Sequence, residues 1–273
     1  MIAERPRVSP AWLDLREPAD AAARSLELVE RLRPLLPVTG GLVIHDLASG
    51  TGSMGRWLAP LLPGPQRWVL HDLDEDLLDI AAAEPARPVA NGVPVGVETR
   101  RSDVTGLRPD DLAAAGLITA SALLDLFTRD ELERLVDVCA DARCPALLTL
   151  SVVGRVELAT ADPLDPVVAA AFDDHQRRET DRGPLLGPDA VAAAIEGFRG
   201  RGADVLVCSS PWGLGPADAE LAEEWLAGWI RAACEQSAEL SSGIGDYASR
   251  RLAEARAGDL AVTVGHADLL VLP

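Results

Sequence analysis

Leu42–Gly55, LVIHDLASGTGSMG, decides how the rest of the chain is read. Apolar positions lead into Asp46, a loop of small residues follows, and RWLAPLL (Arg56–Leu62) continues as an apolar, helix-like run. A buried strand that ends in such a loop and feeds a helix suits an anionic or zwitterionic nucleotide ligand. The glycines let backbone approach ligand, and the helix N–H groups face it with positive polarity. Gly50, Gly52 and Gly55 spell G-x-G-x-x-G, a pattern that gains meaning only between a strand and a helix.

The composition narrows the choices. At 273 residues, the chain can bury a large core without disulfides or metals. Its net charge of −18 argues against an extended nucleic-acid footprint, which needs a basic stripe, and against an anionic membrane surface. No lysine occurs, so all 25 basic residues are arginine. That excludes Schiff-base chemistry, pyridoxal phosphate anchoring and the P-loop lysine. It also excludes the Tyr-x-x-x-Lys pair of short-chain dehydrogenases; the single tyrosine is Tyr247. Cys139, Cys144, Cys208 and Cys234 have no zinc spacing and no C-x-x-C pair, so no metal is expected and a reducing cytoplasm is. MIAERPRVSPAW lacks the apolar core of a signal peptide, and no run reaches transmembrane length.

Outward from the loop, strands and helices alternate. Residues 1–9 read as a loose tail and 10–36 as one or two leading helices. Strands are expected at Leu42–Leu47, Arg67–His71, Val93–Asp103, Leu117–Ala120 and Pro145–Val153, with helices between them. This rhythm implies a mostly parallel sheet with ligands beyond the carboxyl ends of its strands. After Val153 the stretch 154–186 is polar, and the run Phe172–Arg178 within it reads as a loop; a helix at 187–199, a strand at 203–209 and helices at 216–238 and 247–257 follow. LAVTVGHADLLVLP closes the chain as a long strand.

The order Asp46-x-Ala48-x-Gly50-x-Gly52 resembles the first motif of class I S-adenosylmethionine-dependent methyltransferases. Ala48 stands where that family usually has its first glycine, so the turn must accept a methyl group. The resemblance continues in VLHDLDEDLL, where Asp72 followed by Leu73 matches the ribose-binding acid. It continues in Arg101-Ser102-Asp103-Val104, which is similar to the adenine motif, and in LITASALLDLF, similar to the fourth motif. It covers residues 42–153 motif by motif and the remainder in topology only. It implies a single Rossmann-like domain, 1–273, with a seven-stranded, mostly parallel α/β sheet whose last strand is antiparallel. Leading helices (1–36) and two insertions (154–186 and 212–258) would form a helical cover.

The resemblance implies a cofactor set of Asp46, Ala48, Ser49, Gly50, Thr51, Gly52, Asp72, Leu73, Asp103, Val104 and Ser121. Arg16, in WLDLREPAD, could fold over the cofactor and meet its carboxylate. Asp72 follows Gly50 by 22 positions, which also suits the ribose of a nicotinamide dinucleotide. Asp46 separates the two cofactors: a carboxylate there would repel a pyrophosphate and attract the methionine ammonium. Asp103 serves equally as a turn cap. His45 and His71 should point to the opposite sheet face from the two acids, and His266 reads as core or sheet edge. His175, in FDDHQRRETDRG, reads as a general base or substrate anchor, with Arg177 as an anion hook and Asp125 turned toward the substrate. The expected activity is methyl transfer to an oxygen, nitrogen or carbon nucleophile of a small metabolite. S-adenosylhomocysteine would be the product, and a homodimer is compatible. The alternatives are an NAD(P)-dependent oxidoreductase and a cofactor-binding partner subunit without an acceptor site.

Overall fold

The computed structural model describes residues 8–37, 40–84, 92, 93 and 95–273. Residues 1–7 of the expected tail and Pro94 of the expected third strand lie outside the described residues.

Two helices open the chain. Ser9 accepts from the Trp12 amide and caps α1 (Pro10–Ala23), whose first position is proline; Ser25 caps α2 (Leu26–Leu32). β1 (Leu42–Leu47) then leads through the glycine loop into α3 (Ser53–Leu58). β2 (Gln66–Asp72), α4 (Glu75–Ala83), β3 (Val95–Arg101), β4 (Leu117–Ser121) and α5 (Arg129–Ala142) continue the alternation. Thr128 and Glu131 form a reciprocal capping box at the start of α5.

β5 runs from Ala146 to Leu158, longer than expected, and α6 (Asp165–Gln176) follows. Phe172–Gln176, expected as loop, therefore belongs to a helix. Pro166 sits in the first turn of α6, where its missing N–H costs nothing, and Val168 is fully buried. A two-residue hairpin, β6 (Glu179–Thr180) and β7 (Gly183–Pro184), leads to α7 (Ala190–Gly200). β8 (Asp204–Ser209) and β9 (Trp212–Leu214) precede α8 (Ala219–Gln236), the short α9 (Ala238–Gly243) and α10 (Gly245–Ala257); β10 (Val262–Leu272) closes the chain.

The sheet order is β3-β2-β1-β4-β5-β10-β8, with β9 also pairing β10. β1 to β5 pair in parallel, and β10 is antiparallel to both β5 and β8. β8 and β9 lie on one edge of β10 in a single register, Ser209 opposite Ala267 and Trp212 opposite Val264. They are one strand interrupted at Ser210–Pro211, where proline offers no N–H to the ladder. The mostly parallel seven-strand sheet with an antiparallel last strand is thus found.

Helices cover both faces. α5 and α7 pack on one face through Leu132, Leu135, Ala190 and Phe198. α2, α3 and α4 pack on the other, over Ile44, Trp68, Leu117, Leu147 and Leu270. A third cluster joins α6, α8 and α10 to Val262, Val264, Trp212 and Leu214, with α1 against it. Each large aliphatic side chain buried in these layers contributes about 1.5–3 kcal/mol. The outcome is a rigid sheet whose carboxyl edge is roofed by α1.

Candidate functional site

The glycine loop bends where the sequence requires it. Ala48 adopts φ +52°, Gly50 +53° and Gly52 +83°. Left-handed backbone costs an alanine about 1–2 kcal/mol, so Ala48 holds strain that glycine would not. Two further non-glycine residues take positive φ at the same edge, Ala122 (+52°) after β4 and Leu150 (+55°) within β5. Strained backbone of this kind persists where the surroundings over-determine it, often around functional sites. A Cβ on Gly50 would lie 3.1 Å from Leu13 Cδ1 of α1, a tight approach in which the leucine tip would have to give by a few tenths of an ångström.

Asp46 and Thr119 lie opposite each other on β1 and β4, two positions beyond Ile44 and Leu117 on the same face. Thr119 Oγ1 donates to Asp46 Oδ1 at 2.7 Å, while Asp46 Oδ2 is buried with no partner. Burial is the largest cause that raises the Asp46 carboxyl to about 7; the Thr119 hydrogen bond and Arg24 oppose it, and Asp72 adds to it. Arg24, at the carboxyl end of α1, is 3% exposed. Its Nη2 donates to Ser121 Oγ at 3.1 Å and Ser53 Oγ at 3.3 Å, and its guanidinium lies 5.4 Å from the Trp57 ring centroid. Its Nε and Nη1 have no partner. Burial pushes this guanidinium below its ordinary value, opposed by Asp20 and, more weakly, Asp46 and Asp268. Ser49 Oγ, at the tip of the loop, is also buried without a partner.

Asp72 Oδ2 accepts from the Gly50 amide at 2.8 Å, and Oδ1 from the Asp74 amide at 3.0 Å. It ties the loop to the start of α4. Thr51 is buried, and its carbonyl accepts from Arg56, which also pairs with Glu17 of α1. Leu73 is exposed beside Asp72. Asp103 is exposed and caps its own turn, accepting from the Thr105 amide at 2.9 Å; Val104 is buried beneath it. Ser121 Oγ accepts from Thr149 as well as Arg24.

Arg16 is held within the protein by Asp20 and Trp212. Its Nε and Nη2 hold Asp20 at 2.9 and 3.1 Å, and it lies 5.0 Å over the Trp212 ring. Trp212 Nε1 donates to the same Asp20 at 3.0 Å, which latches α1 to β9. Asp125, just past β4, accepts from Gln176 Nε2 at 3.4 Å through its Oδ2. Burial raises the Asp125 carboxyl, while its own backbone amide, Arg16 and Arg178 draw it back.

His175 is a helix residue, not a loop residue. Its Nε2 lies 3.3 Å from Glu235 of α8, so its imidazole faces the α6–α8 seam. Arg177 caps α6 and pairs with Asp189 at 2.6 Å. The structure therefore brings Asp125 to Gln176, and sends His175 and Arg177 to other partners. His45 and His71 are buried, their Nδ1 and Nε2 2.9 Å apart, and His71 Nδ1 is 2.9 Å from Ser102 Oγ. Burial lowers both to about 4, so they are neutral core imidazoles.

Two buried groups carry more than the sequence suggested. Arg24 reads as a helix-end arginine, and only the tilt of α1 over the sheet buries it. Asp268, fully buried in β10, accepts from the amides of Leu150 (2.8 Å) and Ser25 (2.7 Å) and from Ser210 Oγ (2.6 Å). It fixes the β5 bulge and the α1–α2 joint at once. A charged residue within the apolar run HADLLVLP was the available signal.

No family model matches the sequence, and no curated protein matches it significantly. Solved structures do match. A cyclopropane synthase from Mycobacterium tuberculosis superposes with a TM-score of 0.50 at 14% identity, over 97% of this chain and 94% of that chain. A mycolic acid cyclopropane synthase in its apo form gives 0.50 at 12%, over 97% and 100%. A S-adenosylmethionine-dependent methyltransferase from Geobacter sulfurreducens, in complex with S-adenosylhomocysteine, gives 0.46 at 15%, over 97% and 98%. At such identities a likeness speaks for the fold alone. Together with the strand order and the antiparallel β10, it shows that this chain has the Rossmann-like fold of the class I methyltransferases.

Proposed function

We propose that the chain is an S-adenosylmethionine-dependent methyltransferase acting on a small molecule. One observation carries this reading. At the carboxyl ends of β1 and β4, a buried carboxyl oxygen of Asp46 and two buried guanidinium nitrogens of Arg24, which is held by Ser121 and Ser53, lack partners. Unpaired buried polar groups of opposite sign are costly. A methionine-type zwitterion, with its ammonium on Asp46 and its carboxylate on Arg24, would satisfy both. A dinucleotide would instead set a pyrophosphate beside Asp46.

On this reading Arg24, rather than Arg16, receives the cofactor carboxylate. Ala48, Ser49, Gly50, Thr51 and Gly52 supply the loop backbone, and Ser121 orients Arg24. Asp72 keeps lone pairs for ribose hydroxyls beyond its two backbone bonds, and Asp103, Val104 and Leu73 border the adenine side. The cofactor, when bound, supplies an electrophilic sulfonium methyl group. The protein's own contribution is to orient the two reactants and exclude water under α1. Asp125 faces the acceptor and can hold a proton there, because burial raises its carboxyl. His175 and Arg177 act as positioning residues that hold the end of α6, and through it Gln176 and Arg178. The leading helices, α6 and α8–α10 form the cover. Four free cysteines fit a reducing cytoplasm.

Calorimetric titration with S-adenosylmethionine, S-adenosylhomocysteine, NAD(H) and NADP(H) tests the reading. Binding of the adenosyl ligands, weakened in Asp46→Asn and Arg24→Gln, is expected. Binding of a dinucleotide in preference would overturn it. Methyl transfer from labelled cofactor to a small-molecule extract separates an enzyme from a non-catalytic binder.

A further inference from the structure

The two edges of the sheet are built differently. The β3 edge carries Glu98, Arg100 and Arg101; Glu98 pairs with Arg67 and Arg100, and Arg101 with Glu75. Charges along an edge strand keep a foreign strand from adding to it. The opposite edge, β8, reads Asp204-Val-Leu-Val-Cys-Ser209 and has no charge after Asp204. Leu206 is 39% exposed there and Val207 45%.

Pairing with β10 fixes which backbone groups this edge presents. Ser210 donates its amide to the His266 carbonyl at 2.9 Å. In the unbroken antiparallel register that follows, Cys208, Leu206 and Asp204 also turn their amides and carbonyls toward β10. Val205, Val207 and Ser209 turn theirs outward, and Arg199 Nη2, 3.4 Å from the Val205 carbonyl, marks that side. Among the described residues no strand pairs with β8 there. Side chains alternate across the strand: Val205 and Val207 stand on the face covered by α5 and α7, Leu206 and Cys208 on the face covered by α2.

We propose that β8 is the contact surface of a homodimer, in which two copies of the chain pair their β8 strands antiparallel about a two-fold axis at Val207. Fit and charge both select a second copy. In that register Val207 meets Val207 of the second copy and Val205 meets its Ser209, so the outward amides and carbonyls of these three residues exchange hydrogen bonds in both directions. Leu206 faces Cys208 of the second copy, and apolar groups therefore pair on both faces of the joined sheet. Asp204, the one charged residue of the strand, falls opposite Ser210. A chain of net charge −18 repels its own copy over most of its surface. The β8 run joins two copies without setting carboxylate against carboxylate. The Arg199 contact is long and gives way to a backbone amide. This surface is independent of the methyltransferase reading.

Sedimentation equilibrium of the full chain, over a concentration series up to about 200 µM, tests this, since interfaces of ordinary size reach micromolar affinity or better. A dimer within that range is expected. Val207→Pro removes an amide that points outward and breaks no bond to β10, and Val207→Lys sets two like charges face to face on the axis. Each should weaken association by about tenfold or more. Hydrogen exchange of the wild type reads the register without any substitution. The amides of Val205, Val207 and Ser209 should be protected at high concentration and exchange quickly at low, while those of Leu206 and Cys208 stay protected throughout. A monomer over the whole series, an unchanged dissociation constant in both variants, or rapid exchange of the three outward amides in the dimer would each overturn the proposal.

Discussion

Replacing Asp46 with asparagine separates a ligand-binding role from a structural one. The carboxyl titrates at about 7 in the folded chain against 3.8 ordinarily, chiefly because burial disfavours its charge. Each unit of difference is worth about 1.4 kcal/mol, so the native state gives up on the order of 4 kcal/mol when this proton leaves. The folded state holds the proton more tightly than the unfolded state. The contribution is therefore full below pH 4 and is lost as pH rises through 7. Asparagine keeps an oxygen for Thr119 and places an amide where Oδ2 has no protein partner. At pH 7.5, Asp46→Asn should be more stable than the wild type by about 1–3 kcal/mol, the relieved burial of charge less the cost of an unsatisfied amide. Its stability should also fall less between pH 5 and 7.5. Affinity for S-adenosylhomocysteine should move the other way, weakening by about 1.5–3 kcal/mol through the lost charged hydrogen bond. In the wild type that affinity should rise up to roughly twentyfold from pH 5.5 to 7.5, as the carboxylate forms. Urea denaturation across this range and calorimetry in two buffers would measure both. A variant that is less stable at pH 7.5 and binds the ligand unchanged would refute the reasoning.

Other outcomes follow from the same geometry. Arg24→Gln should weaken S-adenosylhomocysteine by about 1.5–3 kcal/mol, with little loss of unliganded stability because a buried, half-satisfied charge is removed; calorimetry and denaturation check it. Asp72→Ala should weaken the ligand too, and should cost about 1–3 kcal/mol of stability because the Gly50 and Asp74 amides lose their acceptor. Asp268→Ala should unfold at least 3 kcal/mol more easily, since two backbone amides and a hydroxyl lose their only carboxylate; an intact melting curve would contradict the keystone role. His175→Ala should leave ligand affinity unchanged, while hydrogen exchange at the end of α6 should quicken.

The fold was legible because its signals are local and repeated. Apolar runs at 42–47, 66–72 and 117–121 alternate with capped helices, and the glycine loop marks the switch point. That Asp46 is buried near the end of β1, beside the glycine loop, was legible from the apolar run that leads into it. The run holding His175 was misread because FDDHQRRETDRG is polar, while Val168 turns inward just before it and Pro166 starts a helix rather than breaking one. The partners of Arg16 and Arg24 depend on where α1 lies against the rest of the fold, and periodicity within one helix does not encode that. Asp268 gathers donors from β5, the α1–α2 joint and the β8–β9 break, three places far apart in the chain.

The central claim is that the glycine loop, Asp46 and Arg24 form a site for the methionine end of an adenosyl cofactor. Thermal unfolding in the presence of S-adenosylhomocysteine or NADH tests it most directly. Ligand at about one hundred times its dissociation constant stabilises by roughly 2.7 kcal/mol, which for a chain of this size raises the melting temperature by about 5 °C or more. A shift of that size with S-adenosylhomocysteine, and none with NADH, is the predicted result; a shift with NADH and none with S-adenosylhomocysteine would contradict the account.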